Sequence, residues 1–292
     1  MSSPRTVAVY GATGNIGAPL IKALYPRHEA GEIKLIVIHR AGSKLDNVPA
    51  DVERRVLDYA SGTEAQVHEA LRGVNILLAA TYNTTREQDQ AFANHLSTLP
   101  NRDTFRFFFS DYSVRWTPEE EATITESKFF IRNAARKLGV KVTGIQNGLF
   151  EDFFFFPGFV GADAKANTLT TYPGAFDKSF PITSTPWLAE AVAQIVSETP
   201  LDQIQDQYTV VETWFSGPQL VEAFTKVHGE KPKVAEYTEE EHAARLAGGG
   251  LPALGALLAQ KWSGEFPPGN EFTPRGLTKR TIDQAVATAA KA

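Results

Sequence analysis

The segment Val7-Ala8-Val9-Tyr10-Gly11-Ala12-Thr13-Gly14-Asn15-Ile16-Gly17 constrains this chain more than any other, because an apolar run feeds straight into a glycine turn. The spacing of Ile16, Leu20, Ile21 and Leu24 that follows is helical, so the unit reads as strand, turn and helix. Gly11 permits the tight turn, Gly14 lets backbone approach a pyrophosphate, and Gly17 lets the helix lie close on the strand. The free N–H groups and positive dipole end of that helix then face the phosphates. A purely structural glycine turn is the competing reading; the strand before the glycines and the helix pattern after them favour a dinucleotide site.

With 292 residues the chain has room for a nucleotide-binding domain over residues 1–150 and a substrate-binding region of mixed α/β structure over 151–292, part of which is free to return to the sheet. A net charge of −5 supplies no basic surface for nucleic acid, which is set aside as a direct partner. The absence of cysteine excludes disulfides, thiol catalysis and thiolate metal sites. The six histidines show no spacing with carboxylates that points to a metal. The first six residues run into the strand without a signal-type apolar region, and no uncharged stretch reaches membrane-spanning length, so a cytoplasmic location away from membranes is expected.

Further strands are expected at 33–38, 54–57, 75–80, 104–109 and 141–145, alternating with helices at 64–71, 87–99 and 127–138. Such βαβ alternation predicts an α/β fold, a doubly wound parallel sheet of Rossmann type, with a smaller mixed C-terminal region. Beyond residue 147 come an aromatic cluster and helices expected at 186–198, 217–227, 239–246 and 251–261. Gly248, Gly249 and Gly250 separate the last two, and read equally as a lid hinge or a surface loop.

In NAD-binding versions of this fold an acidic residue about 20 positions after the glycines bonds the ribose 2′-hydroxyl. Here the second strand ends in His39-Arg40, with Ser43 and Lys44 close behind. A guanidinium pairs with a 2′-phosphate that a carboxylate would repel, so the cofactor expected is NADP(H). A solvated strand-end arginine is the plainer alternative. Asp58, at the end of the third strand, reads either as an adenine contact or as a local cap for residues 58–61.

The carboxyl ends of the later strands bring Ala80, Thr81, Tyr82 and Asn83, then Ser110, Asp111 and Tyr112, then Asn147 and Gly148 toward the nicotinamide end. Hydride transfer leaves negative charge on a substrate, and some group must supply a proton or stabilise that charge. The tyrosine–lysine pair spaced by four, used by ordinary short-chain dehydrogenases, is missing: the fourth residue after Tyr112 is Trp116.

Lys128-Phe129-Phe130-Ile131-Arg132, followed by Gly139-Val140, Thr143, Asn147 and Phe150, resembles the segment that carries a functional lysine in the isoflavone reductase and phenylcoumaran benzylic ether reductase family. The glycine turn, Arg40, Gln88, Arg106-Phe107 and Ser110-Asp111-Tyr112 resemble the wider NmrA-like group of atypical short-chain dehydrogenases. The resemblance covers roughly the first 160 residues and implies an NADPH-dependent reductase in which Lys128 anchors the nicotinamide ribose and serves as general acid or base. It adds Gln88 and Asn147 to a cofactor set of Gly11, Thr13, Gly14, Asn15, Ile16, Gly17, Arg40, Lys44, Asp58, Ala80, Thr81, Tyr82, Ser110 and Lys128. By residue chemistry alone Lys128 also reads as a solvated helix residue.

Six phenylalanines in the ten positions 150–159 cannot all face one way on a strand or helix. They are expected to divide between core and an aromatic pocket wall, with Phe150, Phe153, Phe154 and Tyr112 facing a fairly apolar small-molecule substrate. Two functions compete. The first is reduction of a carbonyl, activated alkene or benzylic ether; the second is a non-catalytic NADP(H)-sensing regulator acting through a protein partner, as in NmrA-type proteins. A non-redox use such as epimerisation ranks third, and a monomer or homodimer is expected.

Overall fold

The computed structural model describes residues 4–80, 84–117, 126–266 and 268–292, with the side chains of 126–128 excepted. The chain divides into two compact units, one of residues 1–112, 116–146 and 185–209 and one of residues 113–115, 147–184 and 210–292.

The first unit is built on seven parallel strands, β1 (Arg5–Tyr10), β2 (Ile33–His39), β3 (Glu53–Val56), β4 (Ile76–Ala79), β5 (Arg106–Phe108), β6 (Val142–Gln146) and β11 (Gln207–Thr209). Their order is β11-β6-β5-β4-β1-β2-β3. Val7 to Val9, Leu35 to Ile38 and all of β4 are buried, as central strands covered on both faces require. Register runs Val7↔Leu35 on one side of β1 and Val7↔Ile76 on the other. After β1 the chain winds outward through β2 and β3, then crosses back to begin again at β4. The order therefore reverses between β1 and β4, and the crevice beyond their carboxyl ends is where such sheets bind ligands.

Local chemistry explains the helices. Thr63 and Thr85 each cap a helix, Glu64–Ala70 and Arg86–Ser97, with Gln66 and Gln88 completing reciprocal capping boxes. Gly17–Glu29 buries Leu20, Ile21 and Leu24. The helix Thr185–Glu198 packs on it, tied by the Arg27–Glu190 ion pair at 2.6 Å and by Arg27 Nε donating to Ser197 Oγ at 3.1 Å.

This helix and β11 return to the first unit from beyond residue 150. Sheet pairing is set by space rather than by sequence order, and the return left open to the region beyond residue 150 is made by Gln207 to Thr209, which pair with Gly144 to Gln146. Arg106 fixes that return: its Nη1 donates to Thr143 Oγ1 (2.9 Å) and to Asp206 Oδ1 (3.0 Å) from a buried position in β5.

The second unit holds two three-stranded sheets. β12 (Thr213–Ser216), β10 (Ser179–Thr183) and β7 (Leu149–Phe150) form one, and β13 (Lys233–Glu236), β9 (Thr168–Thr171) and β8 (Ala162–Asp163) the other. The mixed α/β character of this region agrees with expectation, while the bounds of its strands are not legible in the sequence; most have two to four residues, too few for a periodic pattern to register. At its core Phe154 is fully buried against Phe180, Phe215 and Trp262, with ring centroids 5.1 to 5.7 Å apart. The C-terminal segment is held by Arg280, which pairs with buried Glu151 and, at 2.9 Å, with buried Glu212. The three-glycine joint connects Glu239–Ala247 to Gly250–Trp262 through positive φ at Gly249 and Gly250.

Candidate functional site

A cavity of about 340 Å³ opens at the β1/β4 switch point, entirely within the first unit. Its floor is the glycine turn, from Tyr10 to Gly14. Gly11 takes φ +86°, and a Cβ on Gly17 would stand 2.0 Å from the Gly11 carbonyl oxygen, so helix and turn meet at a distance only glycine allows. The Gly17–Glu29 helix has no side-chain cap at Ile16 and no acidic residue in its first turn. At this helix start the Ala18 N–H donates to the Gly14 carbonyl oxygen at 3.0 Å and Pro19 has no N–H. What faces an anion is therefore the positive dipole end with no carboxylate against it, in contrast to the capped helices at Thr63 and Thr85.

One wall carries the strand-2 and strand-3 ends: His39, Arg40, Ser43, Leu45, Asp58, Tyr59 and Ala60. The segment between is pinned to the turn by Asn47, whose Nδ2 donates to the Ala12 carbonyl at 2.9 Å. His39 Nδ1 lies 2.9 Å from the Arg40 carbonyl oxygen, an acceptor, so the ring donates there. Asp58 fulfils the local reading and lines the cavity as well. Its carboxylate accepts from the Ser61 hydroxyl (2.7 Å) and the Ala60 N–H (3.1 Å). Those two bonds, followed by the charge of Arg40, hold its carboxyl below the usual range against a smaller effect of burial. The Tyr10 hydroxyl accepts the Tyr59 N–H at 3.2 Å, and burial raises its pKa. The other wall comes from Ala79, Ala80, Thr84, Phe107, Phe109 and Ser110, with Ile131 from the helix Glu126–Lys137.

Of the sequence-derived cofactor residues, the cavity gathers Gly11, Thr13, Gly14, Arg40, Asp58, Ala80 and Ser110. Asn15, Ile16 and Gly17 belong to the turn and helix start without entering the lining, and Lys44 is exposed beside it. Gln88 Oε1 accepts the Thr85 N–H at 2.8 Å, which commits that oxygen to the helix cap. Thr81 and Tyr82 lie outside the described residues, as does the Lys128 side chain. Lys128 itself falls in the first turn of Glu126–Lys137, and Ile131, one turn on, reaches the cavity.

Asn147 belongs to the second unit and is fully buried, with neither its Oδ1 nor its Nδ2 bonded among the described residues. Tyr112 is 7% exposed at φ +22°, an uncommon conformation for a residue with a side chain. Burial, then the neighbouring Asp111 charge, pushes its hydroxyl pKa upward, so the phenol stays protonated near neutrality. Of the aromatic block, Phe153 is 38% exposed and Phe150 partly so, whereas Phe154 is enclosed by the core. Sequence reasoning missed His39, Tyr59 and Thr84 as lining residues; each sits at or just beyond a strand's carboxyl end, a position that was available as a signal.

The sheet order and the position of the cavity define a doubly wound fold of Rossmann type. The chain belongs to the NmrA-like family, whose model matches residues 3–286. Solved structures agree over nearly the whole length. AtPrR2 with NADP+ and (+)pinoresinol superposes with TM-score 0.73 at 14% identity, covering 99% of this chain and 100% of that one. Triphenylmethane reductase from Citrobacter sp. gives 0.68 at 20% identity, covering 98% and 100%. The NADPH-dependent quinone oxidoreductase QOR2 from Escherichia coli gives 0.68 at 19% identity, covering 97% and 98%. No curated protein matches the sequence. Among the described residues, no helix is long and apolar enough to cross a membrane, and no cluster of three or more His, Cys, Asp or Glu could hold a metal ion.

Proposed function

We propose that this protein is an NADP(H)-dependent reductase of a small, apolar or aromatic molecule. The observation that carries the reading is that Arg40, His39 and Ser43 stand on the rim of the same cavity whose floor is the glycine turn. A dinucleotide phosphate needs a cradle of backbone N–H groups for its pyrophosphate and a cation for its 2′-phosphate, and this cavity offers both. The residues fit the group: the helix start presents its positive dipole end with no acidic residue in its first turn, and a Cβ at Gly14 would come no closer than 3.5 Å to any neighbour, which leaves the approach open.

NADPH, when bound, supplies the hydride. The chain's own work is to bind, orient and handle a proton. Gly11, Thr13 and Gly14 receive the pyrophosphate; Arg40 and Ser43 hold the 2′-phosphate; Asp58 and Tyr59 flank the adenosine. Ala80 and Ser110 line the remainder toward β4 and β5. Lys128 holds the nicotinamide ribose and donates the proton that accompanies the hydride, a role supported by the entry of its helix into the cavity wall through Ile131. Phe150 and Phe153 are partly exposed apolar side chains of the second unit. Proteins similar in fold are associated with molecules of the proposed kind: AtPrR2 was solved with (+)pinoresinol, and the other two are a quinone oxidoreductase and a triphenylmethane reductase.

The test is NADPH oxidation followed near 340 nm, roughly the reduced nicotinamide band, against quinones, aromatic ketones, enones and lignan-type ethers. Turnover of any class establishes the reductase. Tight NADPH binding with no turnover and a co-purifying protein partner would replace it with the regulator.

A further inference from the structure

Asp89 lies in the helix Arg86–Ser97, is 1% exposed, and takes no part in that helix's capping box, which Thr85 and Gln88 complete. Two hydroxyls donate to its Oδ1: Thr84 Oγ1 at 2.7 Å and Tyr59 Oη at 3.2 Å. Its Oδ2 is buried with no hydrogen-bond partner among the described residues. A carboxylate in this position is costly, because burial opposes its charge and one oxygen is left bare. Burial accordingly raises its pKa despite both hydroxyls. An apolar side chain would fill the space without that cost.

What Asp89 does is join two walls. Tyr59 follows β3, Thr84 follows β4, and both line the cavity. The Tyr59 ring is packed on Phe92 with centroids 4.0 Å apart, and its N–H is held by Tyr10, so the hydroxyl bond completes the fixation of that side chain. We infer that Asp89 is a positioning residue that sets the adenosine end of the cofactor cavity by gathering Tyr59 and Thr84 onto one oxygen. This rests on reading the cavity as a dinucleotide site.

The probes are NADPH and adenosine 2′,5′-bisphosphate, the latter carrying only the adenosine half, with binding followed by calorimetry on the full chain. Asp89→Leu is expected to weaken both about tenfold, the scale of one hydrogen bond to a charged group, with an unchanged or higher melting temperature. Asp89→Asn keeps the oxygen that takes both hydroxyls and should bind within about twofold of wild type, less than the loss of one ordinary hydrogen bond. Tyr59→Phe should weaken binding in the wild-type background and add nothing in Asp89→Leu, because the bond it removes is already gone. Wild-type affinity in Asp89→Leu, loss confined to NADPH, or full additivity with Tyr59→Phe would each overturn the inference and leave the cofactor reading standing. Failure of the wild-type protein to bind NADPH would instead overturn that reading, and the inference with it.

Discussion

A Cβ built on Gly17 would stand 2.0 Å from the carbonyl oxygen of Gly11, so the first helix starts against the turn that precedes it with no room for a side chain. Gly17→Ala must push helix and turn apart. The expected cost is about 1–3 kcal/mol of stability by urea unfolding, the usual scale of overpacking, together with weakened NADPH binding. Unchanged stability would show that the turn can widen freely.

Arg40 stands on the cavity rim, exposed, with its charge acting on Asp58 and Tyr10. Replacing Arg40 with Asp removes a charge-assisted contact and adds a repulsive one, so NADPH affinity should fall by roughly 10- to 100-fold while NADH is affected far less. Equal losses for the two cofactors would place the 2′-phosphate elsewhere.

Lys128→Met tests the acid. Melting temperature should survive, NADPH affinity should fall by no more than about tenfold, the scale of one hydrogen bond to the ribose, and turnover should drop by about 100-fold or more, the range for a positioned proton donor. A fully active variant removes Lys128 from the chemistry.

The Glu151–Arg280–Glu212 cluster predicts acid sensitivity. Burial, the largest single influence on Glu212, opposes its ionisation, but hydrogen bonds from Arg280 and Ser184 outweigh it and hold its carboxyl below the usual range. A lowered folded value means stabilisation that is present above the unfolded pKa, about 4.3, and lost as pH falls through the folded one. Glu151 moves the other way, because burial outweighs Arg280; its contribution is present below about 4.3 and lost as pH rises through its folded value. Urea midpoints should therefore fall on acidification below about pH 4.3, and Glu212→Gln should flatten that limb. Arg280→Met, which strands two buried carboxylates, should cost about 3 kcal/mol at neutral pH.

Phe153 and Phe154 are neighbours with different duties. Phe154→Ala should cost about 3–5 kcal/mol, since its ring is enclosed by Phe180, Phe215 and Trp262. Phe153→Ala should cost much less in stability, since its ring is 38% exposed. A large stability loss in Phe153→Ala would return it to the core.

The local units were readable because their causes are local. The apolar runs of β1 and β2 and the glycine spacing at 11, 14 and 17 each act within a few residues, so the strand–turn–helix start and the alternating strands appear at nearly their observed positions. The helix ends differ from expectation by one or two residues, the scale of end fraying. Of the site, the sequence carried Gly11, Gly14, Arg40 and Asp58, because each stands at a strand end that the alternation itself locates.

By itself the sequence determined the cofactor-type turn, the parallel alternation and the cation at the end of the second strand, since backbone sterics, hydrophobic periodicity and charge need no distant partner. Tertiary structure alone decided the return of Gln207 to Thr209 to the sheet, the enclosure of Phe154, and the meeting of Tyr59 and Thr84 on Asp89. These depend on residues from 5 positions apart, Thr84 and Asp89, to 108 apart, Phe154 and Trp262, and no local pattern encodes which hydroxyl, ring or strand edge a folded chain will bring within reach.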